Sequence, residues 1–321
     1  MLKKHKKYVT ASLAAVSVFS FTAAAFSLRP IKTNGINIHN DYLALTVQDD
    51  EDANDFGGYM LRRNNDDPSA TLTYSQYCTS FAQVDINGSV KLFSEGETVK
   101  KPYTDSDGAI ITVQDFDGVE ITQKLSFTTG NTSNYDMLRI EYIAENKTDS
   151  DISIAVRTVI DPTIADSESD AVQVGGSAYT KETSFSGNNL PETWCIKNDA
   201  GVITAYGITS DGSTAPDVFD IADWKDLSNE RFGYKADGDI SDNAVALTWN
   251  SKTLKAGADM TCGTKYGLYS EKPGTGSNET KKDSPKTGDK GAKAFAGTGA
   301  AALIVLAATR KRRAEDDEKD T

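Results

Sequence analysis

Histidine is almost missing from this chain: its 321 residues contain two, His5 and His39. His5 lies in a lysine-rich, apolar N-terminus, which leaves His39 as the single imidazole of the body. A Ser-His-Asp or Cys-His triad would have to be built on it, and a zinc site would lack imidazole partners. His39 stands in Ile38-His39-Asn40-Asp41, beside a turn, and reads as a surface residue. Cysteine is scarce as well. Cys78, Cys195 and Cys262 are an odd number that permits at most one disulfide, and no spacing among them suits a metal. They read as small buried apolar residues. Helix-period apolar runs of useful length are absent between the termini, and so is any internal repeat. Positive charge is in deficit, with 34 Lys and Arg against 47 Asp and Glu. Between Leu28 and Thr287 the net charge reaches −18, which excludes nucleic acid and anionic lipid as partners and favours divalent cations.

What the body does contain is strand periodicity. Apolar and polar residues alternate over Ile36 to Val47, Ala109 to Val113, Val119 to Phe127, Met137 to Ala144, Ile152 to Val159, Val202 to Ile208 and Val245 to Trp249. Between them stand Asn87-Gly88, Asp107-Gly108, Asp117-Gly118, Asp211-Gly212 and Asp237-Gly238, dipeptides that favour tight turns with positive φ. The expected fold class is all-β, as one large β-sandwich over residues 28–270. Two smaller sandwiches divided in the Ser-, Gly- and Asn-rich Ile164 to Pro191 region are the alternative. From Glu271 to Thr287 the composition turns to Gly, Lys, Ser, Thr and Asn, which describes a flexible linker.

Both ends read as processing segments. Lys3, Lys4, Lys6 and Lys7 precede an apolar stretch from Val9 to Ala24, and Ala23-Ala24-Ala25 offers small residues for cleavage. Residues 1–27 thus follow the secretory signal pattern, with cleavage after Ala25 or after Ser27. At the other end, Ser284-Pro285-Lys286-Thr287-Gly288 opens a tail, 288–321, with an uncharged segment over 294–309 and a charged end over 310–321 that begins Arg310-Lys311-Arg312-Arg313. Those 16 apolar residues make roughly 24 Å of helix at about 1.5 Å per residue, short of the about 30 Å of a bilayer core. Such a segment suits a transient stop, with the arginines held on the cytoplasmic side. This ending resembles a sortase cell-wall sorting signal, with Ser284 in the place where the general pattern has Leu. The resemblance implies cutting between Thr287 and Gly288 and joining of the Thr287 carboxyl to peptidoglycan. The expected localisation is therefore secreted, on the wall of a Gram-positive cell. Sortase and peptidoglycan are the expected partners, and the membrane is met only in passing.

A second resemblance runs through the body. Gly57-Gly58, Tyr77-Cys78-Thr79-Ser80, Ile86-Asn87-Gly88, Val119-Glu120-Ile121-Thr122-Gln123, Val156 to Pro162, Asp242 to Trp249 and Lys265 to Tyr269 are together similar to a group of uncharacterised bacterial surface proteins. It implies a large β-sandwich in the style of the galactose-mutarotase-like supersandwich, and no activity. Mutarotase chemistry uses histidine with a carboxylate, for which His39 alone gives poor support.

The candidate site residues follow from composition. Sugar sites use aromatic faces beside polar groups, and Trp194 and Trp224 both stand in loop-like, polar surroundings, whereas Trp249 ends an alternating strand and reads as core. Asp161 ends an apolar strand before Pro162, where its side chain could enter a cleft. Calcium wants several oxygen ligands. Asp161, Asp166, Glu168 and Asp170 form one candidate loop, with others at Asp49 to Asp55 and Asp237 to Asp242, none in EF-hand register. No other cofactor is expected. The preferred reading is a wall-anchored protein that binds a glycan or a host surface protein. An anchored carbohydrate-active enzyme using carboxylates is the alternative, and a structural envelope component the third.

Overall fold

The computed structural model describes residues 35–65, 71–74, 77–163, 171–197, 201–230 and 232–270. The signal segment 1–27, the linker, the sorting motif and the tail lie outside these, as do Asp166, Glu168 and Asp170. The described residues are strands almost throughout. In chain order they are β1 (Ile36–His39), β2 (Leu43–Val47), β3 (Tyr59–Arg63), β4 (Phe81–Ile86), β5 (Ser89–Leu92), β6 (Glu97–Thr104), β7 (Ile110–Asp115), β8 (Val119–Thr128) and β9 (Met137–Asn146). There follow β10 (Ile152–Ile160), β11 (Val172–Val174), β12 (Ser177–Tyr179), β13 (Thr183–Ser186), β14 (Thr193–Lys197), β15 (Ile203–Ile208) and β16 (Val218–Asp223). The short helix α1 (Trp224–Asn229), β17 (Asn243–Leu254) and β18 (Asp259–Gly267) complete the order.

Two large antiparallel sheets share one core, as the alternating pattern demands. One has the order β13-β16-β17-β10-β4-β5, the other β12-β11-β14-β15-β18-β9-β8-β7-β6, and β1-β2-β3 form a third, small sheet. Strand β8 shows the principle. Val119, Ile121, Gln123 and Leu125 are buried and the residues between them are not. Each such apolar side chain taken fully from water contributes about 1.5–3 kcal/mol. Strands β9 and β18 pair over nine residues and β10 with β17 over eight. Segments before and after residues 164–191 therefore share both large sheets, which excludes two sandwiches divided at that point.

The turn dipeptides do their expected work at two hairpins. Asn87-Gly88 joins β4 to β5 with φ of 54° and 84°, and Asp117-Gly118 joins β7 to β8 with 57° and 90°. Positive φ at both central residues matches the twist of the flanking strands. Two expectations need correction. Ile36 to Val47 is two strands, because the Asn40 carboxamide oxygen accepts the backbone N–H groups of Tyr42 and Leu43, each at 2.8 Å, and closes a turn. Asp237-Gly238 makes no positive-φ turn; its N–H groups instead donate to the Glu182 carboxylate at 3.1 and 2.8 Å.

All three cysteines are free thiols, with Cys78 and Cys262 buried. Burial pushes both of those thiols well up. Trp249 is buried in the core with its indole N–H donating to the Thr214 carbonyl at 2.7 Å.

Candidate functional site

The four segments that build the site are far apart in sequence: residues 54–58, residues 77–82, the 3-10 turn Phe93–Glu95 that follows β5, and helix α1. They enclose a cavity of about 350 Å³. Two glycines let the first segment in. A side chain at Gly57, which has φ of 74°, would press on the Phe93 ring at 2.9 Å, and one at Gly58 would meet the Cys78 carbonyl at 2.5 Å. Only with hydrogens there can the segment lie this close to the Phe93 ring and the Cys78 backbone.

Helix α1 forms the opposite wall. It starts where β16 ends because the Asp223 side chain caps it, accepting from the Lys225 N–H at 3.1 Å. The same carboxylate accepts from Ser241, through N–H and hydroxyl at 3.0 and 2.7 Å, and from the Asp242 N–H at 3.3 Å. Burial pushes the Asp223 carboxyl up, yet the Ser241, Lys225 and Asp242 donors outweigh it and hold it below its ordinary range. Glu182 does the same for the neighbouring segment, accepting the N–H groups of Asp223, Asp237 and Gly238. Two carboxylates thus pin the helix to the sheet.

Trp224 is fixed at both ends by this arrangement. Its backbone N–H donates to the Asp242 carbonyl at 2.8 Å and its indole N–H to the Thr79 carbonyl at 3.3 Å. The indole is half-buried and lines the cavity. Phe56, Tyr77, Phe81 and Phe93 give the remaining aromatic wall. The polar groups are few. Thr79 lines the cavity and is 8% exposed, and its hydroxyl, which has no hydrogen-bond partner, is itself closed to solvent. Asp55 is the one carboxylate in the lining, and burial raises its carboxyl above the ordinary value despite hydrogen bonds from the backbone and Gln48. Among the described residues Lys225, exposed, is the one cation in the lining.

The other sequence candidates go elsewhere. Trp194 is 1% exposed, stacked on Tyr266 with ring centroids 5.2 Å apart and tilted on Phe219 at 6.0 Å. Its expected role as a sugar platform is corrected: the ring is buried among core aromatics. Asp161 is 4% exposed and does not line the cavity; its N–H donates to the Ser80 hydroxyl and its carbonyl accepts from Tyr74. Trp224 and Asp161, both candidates from the sequence, do not line one cavity. Among the described residues no three His, Cys, Asp or Glu side chains converge as metal ligands, so the loops at 49–55 and 237–242 do not assemble such a group. His39 is exposed, on the edge of another groove. The residues that sequence reasoning missed are Asp55, Phe56, Tyr77, Thr79, Phe93 and Lys225. Their signal was present in Gly57-Gly58 and Tyr77-Cys78-Thr79, which the fold brings to one place.

No protein-family model and no curated protein matches the chain. Among solved structures it is similar to a galactose mutarotase related enzyme from Lactobacillus acidophilus, at 9% identity over 74% of this chain and 97% of that one, with a TM-score of 0.42. A putative aldose 1-epimerase from Escherichia coli K12 matches at 10% identity over 73% and 98%, with a TM-score of 0.39. A polysaccharide lyase matches at 14% identity over 73% of this chain and 34% of that one, with a TM-score of 0.41. No residue role is carried over from them, and the site stands on its own side chains. Among the described residues no helix is long and apolar enough to cross a membrane.

Proposed function

We propose that this is an exported, sortase-anchored surface protein that binds the end of a glycan in the cavity beside Trp224. The observation that carries the binding reading is Trp224, held through its backbone and indole N–H groups, lining a cavity with Phe56, Tyr77, Phe81 and Phe93. An aromatic face for the C–H side of a pyranose and a few fixed polar groups for its hydroxyls are what sugar recognition needs. A cavity of about 350 Å³ is at the small end of ligand sites, which suits a terminal sugar unit better than a chain passing through. The anchored-hydrolase alternative needs two carboxyls about 5–10 Å apart across a sugar. Among the described residues Asp55 is the only one the cavity supplies.

The purified body, residues 28–270, is expected to bind members of a terminal-sugar panel in calorimetry. Trp224→Ala should weaken that binding roughly tenfold, and Trp224→Phe by less. Binding that is unchanged by Trp224→Ala, or no binding across the panel, would sink the reading.

Anchoring is tested on cells. In a Gram-positive host whose sortase reads the signal, muramidase should release the chain joined to wall fragments. A Pro285→Ala, Thr287→Ala double variant should leave almost all of it in the detergent-soluble fraction or the medium, since Pro285 sets the extended approach and Thr287 carries the carboxyl that is joined. Wild-type protein found wholly in the detergent fraction with residues 288–321 attached would contradict the proposal.

A further inference from the structure

Large aromatic side chains are rare on this surface. Among the described residues Tyr135 is 58% exposed, Tyr103 39% and Tyr42 37%, and two of these three line one groove. Tyr42 comes from the turn between β1 and β2, and Tyr135 from the loop between β8 and β9. The groove is open, with a volume of about 650 Å³, and Phe127 also lines it.

One side chain sets both tyrosines. Asn40 accepts the Tyr42 N–H through its carboxamide oxygen at 2.8 Å and donates its amide to the Tyr135 carbonyl at 2.7 Å. The Tyr42 carbonyl accepts the Asn64 N–H at 2.8 Å. The backbones beneath the two exposed rings are therefore fixed before anything binds, which removes much of the ordering entropy of association. Such expense on two surface aromatics has no use in the core, which neither ring enters.

The remaining lining decides the chemistry of the occupant. Asp41, Asp107, His39 and Ser126 supply hydroxyl acceptors and donors, and among the described residues the lining has no Lys or Arg. Two carboxylates without a cation repel uronate, phosphate and nucleic acid. Exposed tyrosine rings with carboxylates and a hydroxyl beside them match the alternating apolar and hydroxyl surfaces of uncharged pyranose units. We infer that the Tyr42–Tyr135 groove is a second carbohydrate site, which takes a stretch of neutral polysaccharide chain. It shares no lining residue with the Trp224 cavity and does not depend on the reading given to that cavity.

The test is native electrophoresis of residues 28–270 through gels containing mixed-linkage β-glucan, galactomannan, dextran or polygalacturonate. At least one of the neutral polymers should retard the protein, and polygalacturonate should not. Tyr42→Ala and Tyr135→Ala should each weaken the retardation about fivefold, with Tyr135→Phe close to wild type and Tyr103→Ala, outside the groove, without effect. Both tyrosines are exposed, so thermal unfolding of the variants should match wild type. Retardation lost in Tyr135→Ala supports the groove even if no sugar titrates the Trp224 cavity. No retardation by any neutral polymer, retardation that survives both alanine variants, or equal retardation by polygalacturonate would overturn the inference.

Discussion

Trp194→Ala is expected to lower the unfolding free energy of the β-body by about 3–5 kcal/mol, the range for deleting a large buried aromatic. For a body of this size that moves the thermal midpoint by roughly 6–20 °C. The indole packs on Tyr266, parallel to it within 9°, and on Phe219, so its removal leaves a void that two other rings also lose contact with. Its N–H has no hydrogen-bond partner, and an unmet buried donor detracts by about 1–3 kcal/mol. Trp194→Phe removes that donor along with part of the ring, and should show less than half the loss of the alanine variant. Gly207 gives an independent reading of the same contact. It faces Trp194 across the β14–β15 pair, and a methyl group there would overlap the indole. Gly207→Ala should destabilise by about 1–3 kcal/mol through overpacking. Urea unfolding of the four proteins, followed by near-ultraviolet circular dichroism, measures all of this. A Trp194→Ala loss below about 1 kcal/mol would show that the ring is not packed as described.

Trp194 and Trp224 also show where sequence stops being informative. Both follow polar, loop-like residues, and composition gives no ground for separating them. What separates them is tertiary: Trp194 meets Tyr266, which is distant in sequence, while Trp224 is drawn by Thr79 to the edge of a cavity. Strand content was legible because period-two alternation is a local consequence of one buried face, as β8 illustrates. The two Asn-Gly and Asp-Gly hairpins were legible for the same local reason. Asp237-Gly238 was not, because Glu182, 55 residues away, claims its N–H groups. The tyrosine groove was half legible. Asn40-Asp41 read as a turn, but nothing in the sequence said that the Asn40 amide reaches the Tyr135 carbonyl, 95 residues on. The cavity was legible only as separate short motifs, since Gly57-Gly58 says that something approaches closely without saying what.

Asp223 joins the fold to the cavity, and its replacement should have the second large effect. Asp223→Ala removes the cap of α1 and the acceptor for Ser241 and Asp242, leaving their N–H groups at a site only 9% exposed at Asp223 itself. Loss of a cap contributes about 0.5–2 kcal/mol, and loss of hydrogen bonds to a charged group about 1.5–3 kcal/mol, so a total of about 2–5 kcal/mol is expected at pH 7. The pH dependence identifies the cause. The folded carboxyl lies below its ordinary value of 3.8, so the fold favours the charged form. Its contribution is complete above pH 3.8 or so and is lost as pH falls through the lower folded value. The gap between wild type and Asp223→Ala should therefore be widest at neutral pH and narrow below that point. Asp223→Asn keeps one oxygen for the Lys225 N–H but sets an amide against the Ser241 and Asp242 donors, so it should fall between the two and lose the same pH-dependent part. Because α1 carries Trp224 and Lys225 into the cavity wall, hydrogen exchange over residues 224–229 should quicken in both variants. A gap that stays constant from pH 7 to pH 2.5, with α1 still protected, would mean that Asp223 only fills space and that the helix is held by its packing on Ala222, Ala244 and Ala246.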